Sequence, residues 1–553
     1  FIQQATSYVL PILSDEHSVA APYISIGATV AAAESGVDTR KDELEMSGCS
    51  IVTSGDNIYI DGYDSTGILN GVYQFLHFCI DYEAYTPEEI YIKNTDSIPL
   101  YAFDYAYSPG LTIATSIPSM RTIQNAARMK MWSGIWGAKD IDGSVWAGGY
   151  FAHTILSLLP SNAEPGKSHT GDIDTEDGWY SNGQLCLTKE SAISAMADVC
   201  ASVLATSASD KIMIGGMDNG GSCGCKKCTE AALKYGGVGG VYIRFLNAVA
   251  EKVEDILGED KEFYLYGFAY YGYSDPPVNI AADGTVTLAD SSVKANEHVG
   301  MMVTTMGSCY YHPMGADDMC DFASQFANRF KGWTAVTDNL FGYTYGTNFH
   351  NYMLPFNDFN SIAENIAYMS DLGYKFIYDQ SSGNVPMTGF VELKAYIRSK
   401  ASWDPSSNQY SDRIVNDFFV NYYKVAAEQM KQYYDQIRRH YALIQETTGE
   451  YDVGIYDSSR YNVKSSWPLT VINTLEGYIE EAYKAIDEAI VSETVKETVR
   501  RRVMAEELTL RYARLTWYQN YYSDKEYEAA YEQFIEDCKY CGVEKFSEGG
   551  AAI

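Results

Sequence analysis

Residues 341–380 read FGYTYGTNFHNYMLPFNDFNSIAENIAYMSDLGYKFIYDQ. Tyr343 and Tyr345 share one face by the period of two that an extended strand imposes. FNSIAENIAYMSDL, residues 359–372, reads as an amphipathic helix, and YKFIYDQ, residues 374–380, as a second strand. A strand, a helix and a strand in one run predict a βαβ unit, with parallel strands and the helix packed on their face.

The same alternation extends outward through residues 101–405. DKIMIGGM (210–217), EFYLYGFAY (262–270) and HVGMMVTTM (298–306) are further candidate strands. ESAISAMADVCASVLA (190–205) and GGVYIRFLNAVAEKVEDIL (239–257) are candidate helices. About 300 residues of this alternation fit one (β/α)8 TIM-like barrel. An open doubly wound sheet is the competing architecture, but no Gly-rich dinucleotide turn follows any strand, so no nucleotide cofactor is expected.

Residues 1–100 predict a small α/β domain. CSIVTSGDNIYIDGYD (49–64) alternates around a Ser-Gly-Asp-Asn turn and predicts a hairpin. GILNGVYQFLHFCI (67–80) predicts a helix with Leu69, Val72, Leu76 and Ile80 inward. Residues 406–553 predict a helical domain. Leu475, Ile479, Ala482, Ile486 and Ile490 form an apolar stripe there, and TVKETVRRRVMAEELTLRYARLTWYQNYY (494–522) a second long helix.

The 553 residues carry a net charge of −33, which disfavours nucleic acid and anionic membrane surfaces as partners. No apolar run reaches the length of a membrane span. The chain opens at Phe1 without an initiator Met, and the expectation is a mature chain trimmed of its leader. The 47 tyrosines suit sugars, because a tyrosine joins a flat apolar ring to a hydroxyl, although most of them belong in strands and helix interfaces. The 11 cysteines include the triplet Cys223, Cys225 and Cys228. No fourth ligand lies near it in sequence, so thiols or local disulfides are favoured over a metal.

Barrel sites form from strand C-termini and the loops after them. Asp218 and Asn219 follow KIMIGGM; Asp218 is a candidate carboxylate for chemistry, with a turn or cap role as its alternative. Tyr270, Tyr271 and Tyr273 follow YLYGFA; strand alternation lets only part of the group face a ligand, and Tyr270 and Tyr273 are the candidates. Tyr343, Tyr345 and Asn348 form a candidate platform, with a buried aromatic layer as the alternative. Asp379 is the second candidate carboxylate, and with the amide of Gln380 it matches the polar pair that hydrogen-bonds sugar hydroxyls; Gln380, Asn219 and His153, the last in a strand–loop context, are further substrate-binding candidates. Two carboxyl groups, or one together with a substrate 2-acetamido group, would serve glycoside hydrolysis.

Gly48-Cys49-Ser50-Ile51 followed by YIDGYDSTGILNGVYQFL (59–76) resembles the N-terminal domain of hexosaminidase-like and α-glucuronidase-like hydrolases. His153-Thr154…Leu159-Pro160, QLCLT (184–188), MDNGGSCGCKKC (217–228), CYYHP (309–313), YGTNFHNYMLPF (345–356) and LKAYIRSKASWDP (393–405) together resemble glycoside hydrolase family 163. The resemblance spans residues 20–430 or so. It implies a secreted gut-bacterial barrel enzyme, a retaining, substrate-assisted endo-β-N-acetylglucosaminidase acting on complex N-glycans of glycoproteins. The partner would be an oligosaccharide or glycoprotein glycan, with His153, Asp218, Tyr345 and Asn348 among the site residues. An exo-β-N-acetylhexosaminidase, an α-glucuronidase-like enzyme and a non-catalytic carbohydrate-binding barrel are the alternatives. Two departures stand out: Asp218-Asn219 replaces the adjacent acids of related hexosaminidases, and YAFDYAYSPG (101–110) lacks the arginine expected after a first barrel strand.

Overall fold

The computed structural model describes residues 1–14, 20–133, 146–160, 178–316, 320–406, 411–448 and 453–553. Its centre is a mixed α/β layer built on a curled sheet of seven parallel strands. Across the sheet the order is Lys211–Ile214, Tyr264–Ala269, Val299–Thr304, Leu340–Tyr345, Phe376–Gln380, Thr112–Thr115 and Trp132–Ser133. Every neighbouring pair is parallel.

The strand–helix–strand run at 341–380 takes the form its periodicity predicts, with Ile362–Asp371 crossing between Leu340–Tyr345 and Phe376–Gln380. Val238–Leu257 and Asp321–Val336 are further crossover helices. The alternation breaks once. Tyr264–Ala269 reaches Val299–Thr304 through an antiparallel hairpin, Val278–Ile280 with Val286–Leu288, and no α-helix. Pro276 and Pro277 at its entry deny the chain two backbone donors, which suits a turn better than a helix.

Eight strands would close a barrel, and among the described residues seven pair. At the open edge, Met213 N donates to Tyr150 O at 3.3 Å, so the irregular stretch ahead of His153 lies against the Lys211–Ile214 strand. The curl turns one face of the sheet inward, and aromatic rings fill it. Tyr266 stacks on Phe341 at 4.3 Å, and Trp146 meets both edge-on at 5.5 and 6.0 Å. One layer higher, Phe151 packs on Tyr343 and Tyr378 at 6.0 and 5.0 Å, and Phe268 on Tyr343 at 5.4 Å. Interior layers of this kind are a packed core rather than a pore.

The N-terminal sheet has the order Ile24–Ile26, Asn57–Gly62, Cys49–Ser54, Asp104–Tyr107. YAFDYAYSPG therefore supplies an edge strand to this sheet, and the first strand of the central sheet is Thr112–Thr115. The hairpin is as read. The helix, Ser65–Ile80, buries Phe75, Leu76 and Ile80, whereas Leu69 is exposed. Two glycines rotate the contact face: a Cβ at Gly67 would sit 2.1 Å from Gly48 O, and one at Gly71 2.7 Å from Ile60 Cγ2. Small residues let the helix backbone press onto the sheet, and that contact outweighs the burial of Leu69.

The C-terminal domain comprises Ser411–Tyr422, Ala427–Thr448, Leu469–Glu488, Glu493–Trp517 and Asp524–Tyr540. Leu475, Ile479, Ala482 and Ile486 are buried as the stripe predicts; Ile490 lies beyond the helix end and is fully exposed. The domain also reaches over the sheet. Tyr310 N donates to Val453 O, Phe349 N to Ile455 O, Tyr352 N to Phe546 O and Glu548 N to Phe349 O, at 2.8–3.0 Å.

Candidate functional site

The C-terminal ends of the parallel strands open on one side of the sheet. Asp218 lies there, exposed, four residues past the end of the Lys211–Ile214 strand. Its Oδ1 accepts a hydrogen bond from the Tyr270 hydroxyl at 3.0 Å. Burial, then the Asp218 charge, holds the Tyr270 hydroxyl well above the ordinary phenol range, so at neutral pH it is a donor. His153 stands edge-on to Tyr270 at 5.2 Å, and its Nδ1 lies 2.6 Å from Gly216 O, which fixes the ring. The structure brings these three candidate residues together.

Asn219 orders the turn beside them. Its Oδ1 accepts from Gln184 Nε2 at 2.7 Å and from Gly221 N at 3.1 Å, and its Nδ2 donates to Asn182 O at 3.0 Å. Gln184 also donates to Met217 O at 2.8 Å and accepts from Met217 N at 3.0 Å, clamping the chain just before Asp218. Tyr273 is buried against Tyr242 at 4.8 Å, and its hydroxyl donates to Gln184 Oε1 at 3.4 Å.

Tyr343 is 2% exposed and Tyr345 6%, which places both in the aromatic layering, with the Tyr343 hydroxyl donating to Gln380 Oε1 at 2.7 Å. Asn348 is buried: Nδ2 donates to Asp457 O at 2.7 Å and Oδ1 accepts from His350 N, so it fastens this loop to the helical domain. Asp379 lies on the outer face of the sheet, fully buried. Oδ1 pairs with Arg398 Nε at 3.0 Å and accepts from Thr344; Oδ2 accepts from Thr115 at 3.0 Å and Ser381 at 2.6 Å. Its neighbour Gln380 faces the open side, as strand alternation requires.

Gln380 lines a cleft of about 370 Å³ with Ser116, Arg121, Phe349, Tyr352, Asn384, Lys545 and Glu548. Arg121 follows the Thr112–Thr115 strand and donates to Gly383 O. YAFDYAYSPG, which lacks an arginine, precedes the first strand of the central sheet, and Arg121 lies six residues past the end of that strand. Lys545 and Glu548 come from the helical domain, as does Tyr456, whose hydroxyl donates to Glu548 Oε2 at 3.1 Å. Burial first, then the charge of Glu548 and its hydrogen bond, hold the Tyr456 hydroxyl above the ordinary phenol range, with smaller contributions from Tyr271 and Asp218. Tyr456, Lys545 and Glu548 escape a sequence reading because no periodicity links residues 456 and 548 to a strand end.

No disulfide joins any of the eleven cysteines among the described residues. Two groups could hold a metal among the described residues: Cys186 with Cys223, Cys225 and Cys228, and Cys309 with His312 and Cys320.

Similar folds occur among solved glycoside hydrolases. A GH138 enzyme targeting pectin rhamnogalacturonan II has 12% identity and a TM-score of 0.37, over 95% of this chain and 75% of that one. A family 89 glycoside hydrolase from Clostridium perfringens in complex with PUGNAc has 9% identity and a TM-score of 0.44, over 89% of this chain and 61% of that one. A Streptomyces plicatus β-hexosaminidase in complex with GlcNAc has 11% identity and a TM-score of 0.34, over 76% of this chain and 86% of that one. No curated protein matches the chain. One family model matches residues 114–435, more than half of the chain and most of the parallel sheet with its crossover helices. The chain therefore belongs to the family described as a domain of unknown function, DUF4838.

Proposed function

We propose that the protein is a glycoside hydrolase whose substrate lies across the open end of the sheet, between Asp218 and the cleft holding Gln380 and Glu548. The observation that carries this reading is the Tyr270–Asp218 hydrogen bond: an exposed carboxylate past a parallel strand end, held by a phenol that stays protonated. Carboxylates so placed can orient and polarise a sugar's 2-acetamido group, whose carbonyl oxygen then attacks the anomeric carbon with retention. Glu548, held by Tyr456, is the second carboxyl group for protonating the leaving oxygen. With the resemblance of residues 20–430 in view, the substrate class is a complex N-glycan and the action that of an endo-β-N-acetylglucosaminidase outside the cell or on its surface. In this reading the stretch 146–154 takes the remaining place in an eight-membered barrel, a view supported by the Met213–Tyr150 hydrogen bond and by Trp146 and Phe151 in the interior layers.

Incubation with a panel of N-glycoproteins and aryl N-acetylglucosaminides, with mass spectrometry of the products, tests it. Wild type releases glycans ending in a reducing GlcNAc; Asp218→Asn and Glu548→Gln do not. No turnover of any panel member by wild type would refute it. A second reading, a non-catalytic carbohydrate-binding barrel, is favoured by the committed state of Asp379, both of whose oxygens are taken by Arg398 and hydroxyls. Glycan binding without turnover would select that reading.

A further inference from the structure

Residues 218–225 form an exposed, glycine-rich loop that leads into the helix Lys226–Lys234, and the side chains buried between 218 and 228 are three cysteines, Cys223 and Cys225 of the loop and Cys228 of the first helical turn. The fold brings a fourth to them. Cys186, just past the short strand Gln184–Leu185, lies with its Sγ 3.6 Å from Cys225 Sγ and 3.8 Å from Cys228 Sγ. All four sulfurs lie within 4.8 Å of one another and all four residues are buried.

We infer that these four cysteines are a structural metal site that takes a thiophilic divalent ion, zinc, as four thiolates. Four sulfurs each bound at ~2.3 Å around a tetrahedral ion lie about 3.8 Å apart, the spacing seen here. A disulfide needs its sulfurs at ~2.0 Å, and no pair meets that. The surroundings suit a doubly negative four-thiolate centre. Cys228 N points at Cys225 Sγ, 3.4 Å away, in the first turn of the helix, and Thr188 Oγ1 lies 3.4 Å from Cys228 Sγ. Donors to bound sulfur and a helix N-terminus both stabilise thiolate charge. Lys226 and Lys227 between the ligands add two cations.

The site has a positioning role that the Asp218 turn requires. Gln184, two residues before Cys186, holds Met217 and Asn219 on either side of Asp218. A metal joining Cys186 to Cys223, Cys225 and Cys228 pins both ends of that clamp, in a loop with little apolar side chain to bury. Metal clips supply folding energy where a segment has too little core.

The protein purified without chelator is assayed for bound metals by elemental analysis, and its native thiols are titrated before and after chelator treatment. One zinc per chain is expected, with four thiols becoming reactive as it leaves. Cobalt exchanged into wild type should give the thiolate charge-transfer bands of a tetrahedral four-sulfur site. Cys186→Ser and Cys225→Ser should lose the metal, and Cys541→Ser, a buried cysteine elsewhere, should keep it. If Cys186→Ser does not fold, the wild-type cobalt spectrum and thiol count still decide. Two disulfides among these cysteines, four thiols that bind no added zinc, or iron in place of zinc would each overturn the assignment. None of these readouts depends on the enzyme's activity, so the outcome is separate from that of the hydrolase reading.

Discussion

Asp218 and Asp379 both belong to C-terminal ends of strands in the same parallel sheet, yet they occupy opposite environments. Asp218 is exposed, past its strand, with one phenolic hydroxyl as partner. Asp379 is within its strand on the outer face, fully buried, with Arg398 and three hydroxyls around it. The pair extends into a network, because Arg398 Nη2 and Lys394 Nζ both reach Asp358, at 3.2 and 2.6 Å. Position at a strand end is therefore not enough to identify a working acid. The face on which the residue falls, and whether its lone pairs are already spent, decide what it can do.

The largest effect that would sharpen this contrast is on stability. Asp379→Ala leaves a buried guanidinium short of a counter-charge, and a loss of about 3–5 kcal/mol in denaturant unfolding is expected. An unchanged midpoint would mean that Asp358 alone satisfies Arg398, and the contrast with Asp218 would collapse. Asp218→Asn should do the reverse. Its unfolding free energy should move by less than about 0.5 kcal/mol, while glycan release falls about 100-fold or more. A variant that lost both together would show that Asp218 holds the fold rather than the chemistry.

Glu506 separates burial from compensation. It is as buried as Asp379, but its partners are the backbone N–H groups of Gly389 and Phe390, at 3.1 and 2.9 Å. Burial pushes its carboxyl up to about 8 from the ordinary 4.5. The folded state thus holds a proton that the unfolded chain releases. The stabilisation is whole below about pH 4.5 and is lost as pH rises through about 8. Glu392, pushed up to about 7 by the same cause, adds to the trend. Melting temperature should fall between pH 5 and 8, and Glu506→Gln should flatten that slope; an equally steep slope in the variant would assign the effect elsewhere. The smallest effect belongs to Tyr270→Phe. Loss of one hydrogen bond to Asp218 should cost about 1 kcal/mol in kcat/KM, roughly a fivefold drop, with stability unchanged.

The central sheet was legible where strands are apolar and the helices between them amphipathic, as at Lys211–Ile214, Val299–Thr304 and Phe376–Gln380. Thr112–Thr115 and Trp132–Ser133 were not: the first sets two threonines about an isoleucine and an alanine and is buried on both faces, and the second is two residues long. Alternation within DQ already implied that Asp379 and Gln380 face opposite sides, and Tyr378, Tyr343 and the aromatic layers identify which side is inward. Strand-end position marked Asp218 and Tyr270 as candidates, but that they meet each other and His153 is a tertiary fact that the spacing does not give. Cys186, 37 residues before Cys223 in the chain, and Glu548 could not be read, because nothing in local spacing marks residues that only tertiary packing brings together.

The hydrogen bond from Glu548 N to Phe349 O joins positions 199 residues apart, Tyr352–Phe546 joins positions 194 apart, and Phe349–Ile455 positions 106 apart. The later partner in each pair, Ile455, Phe546 or Glu548, is synthesised after Phe376–Gln380, the last strand of the central sheet. The sheet can be complete while its roof is still missing. A chain emerging from the ribosome would therefore carry a finished scaffold well before it carries a finished site, and competence would arrive in one late step when the helical segment docks.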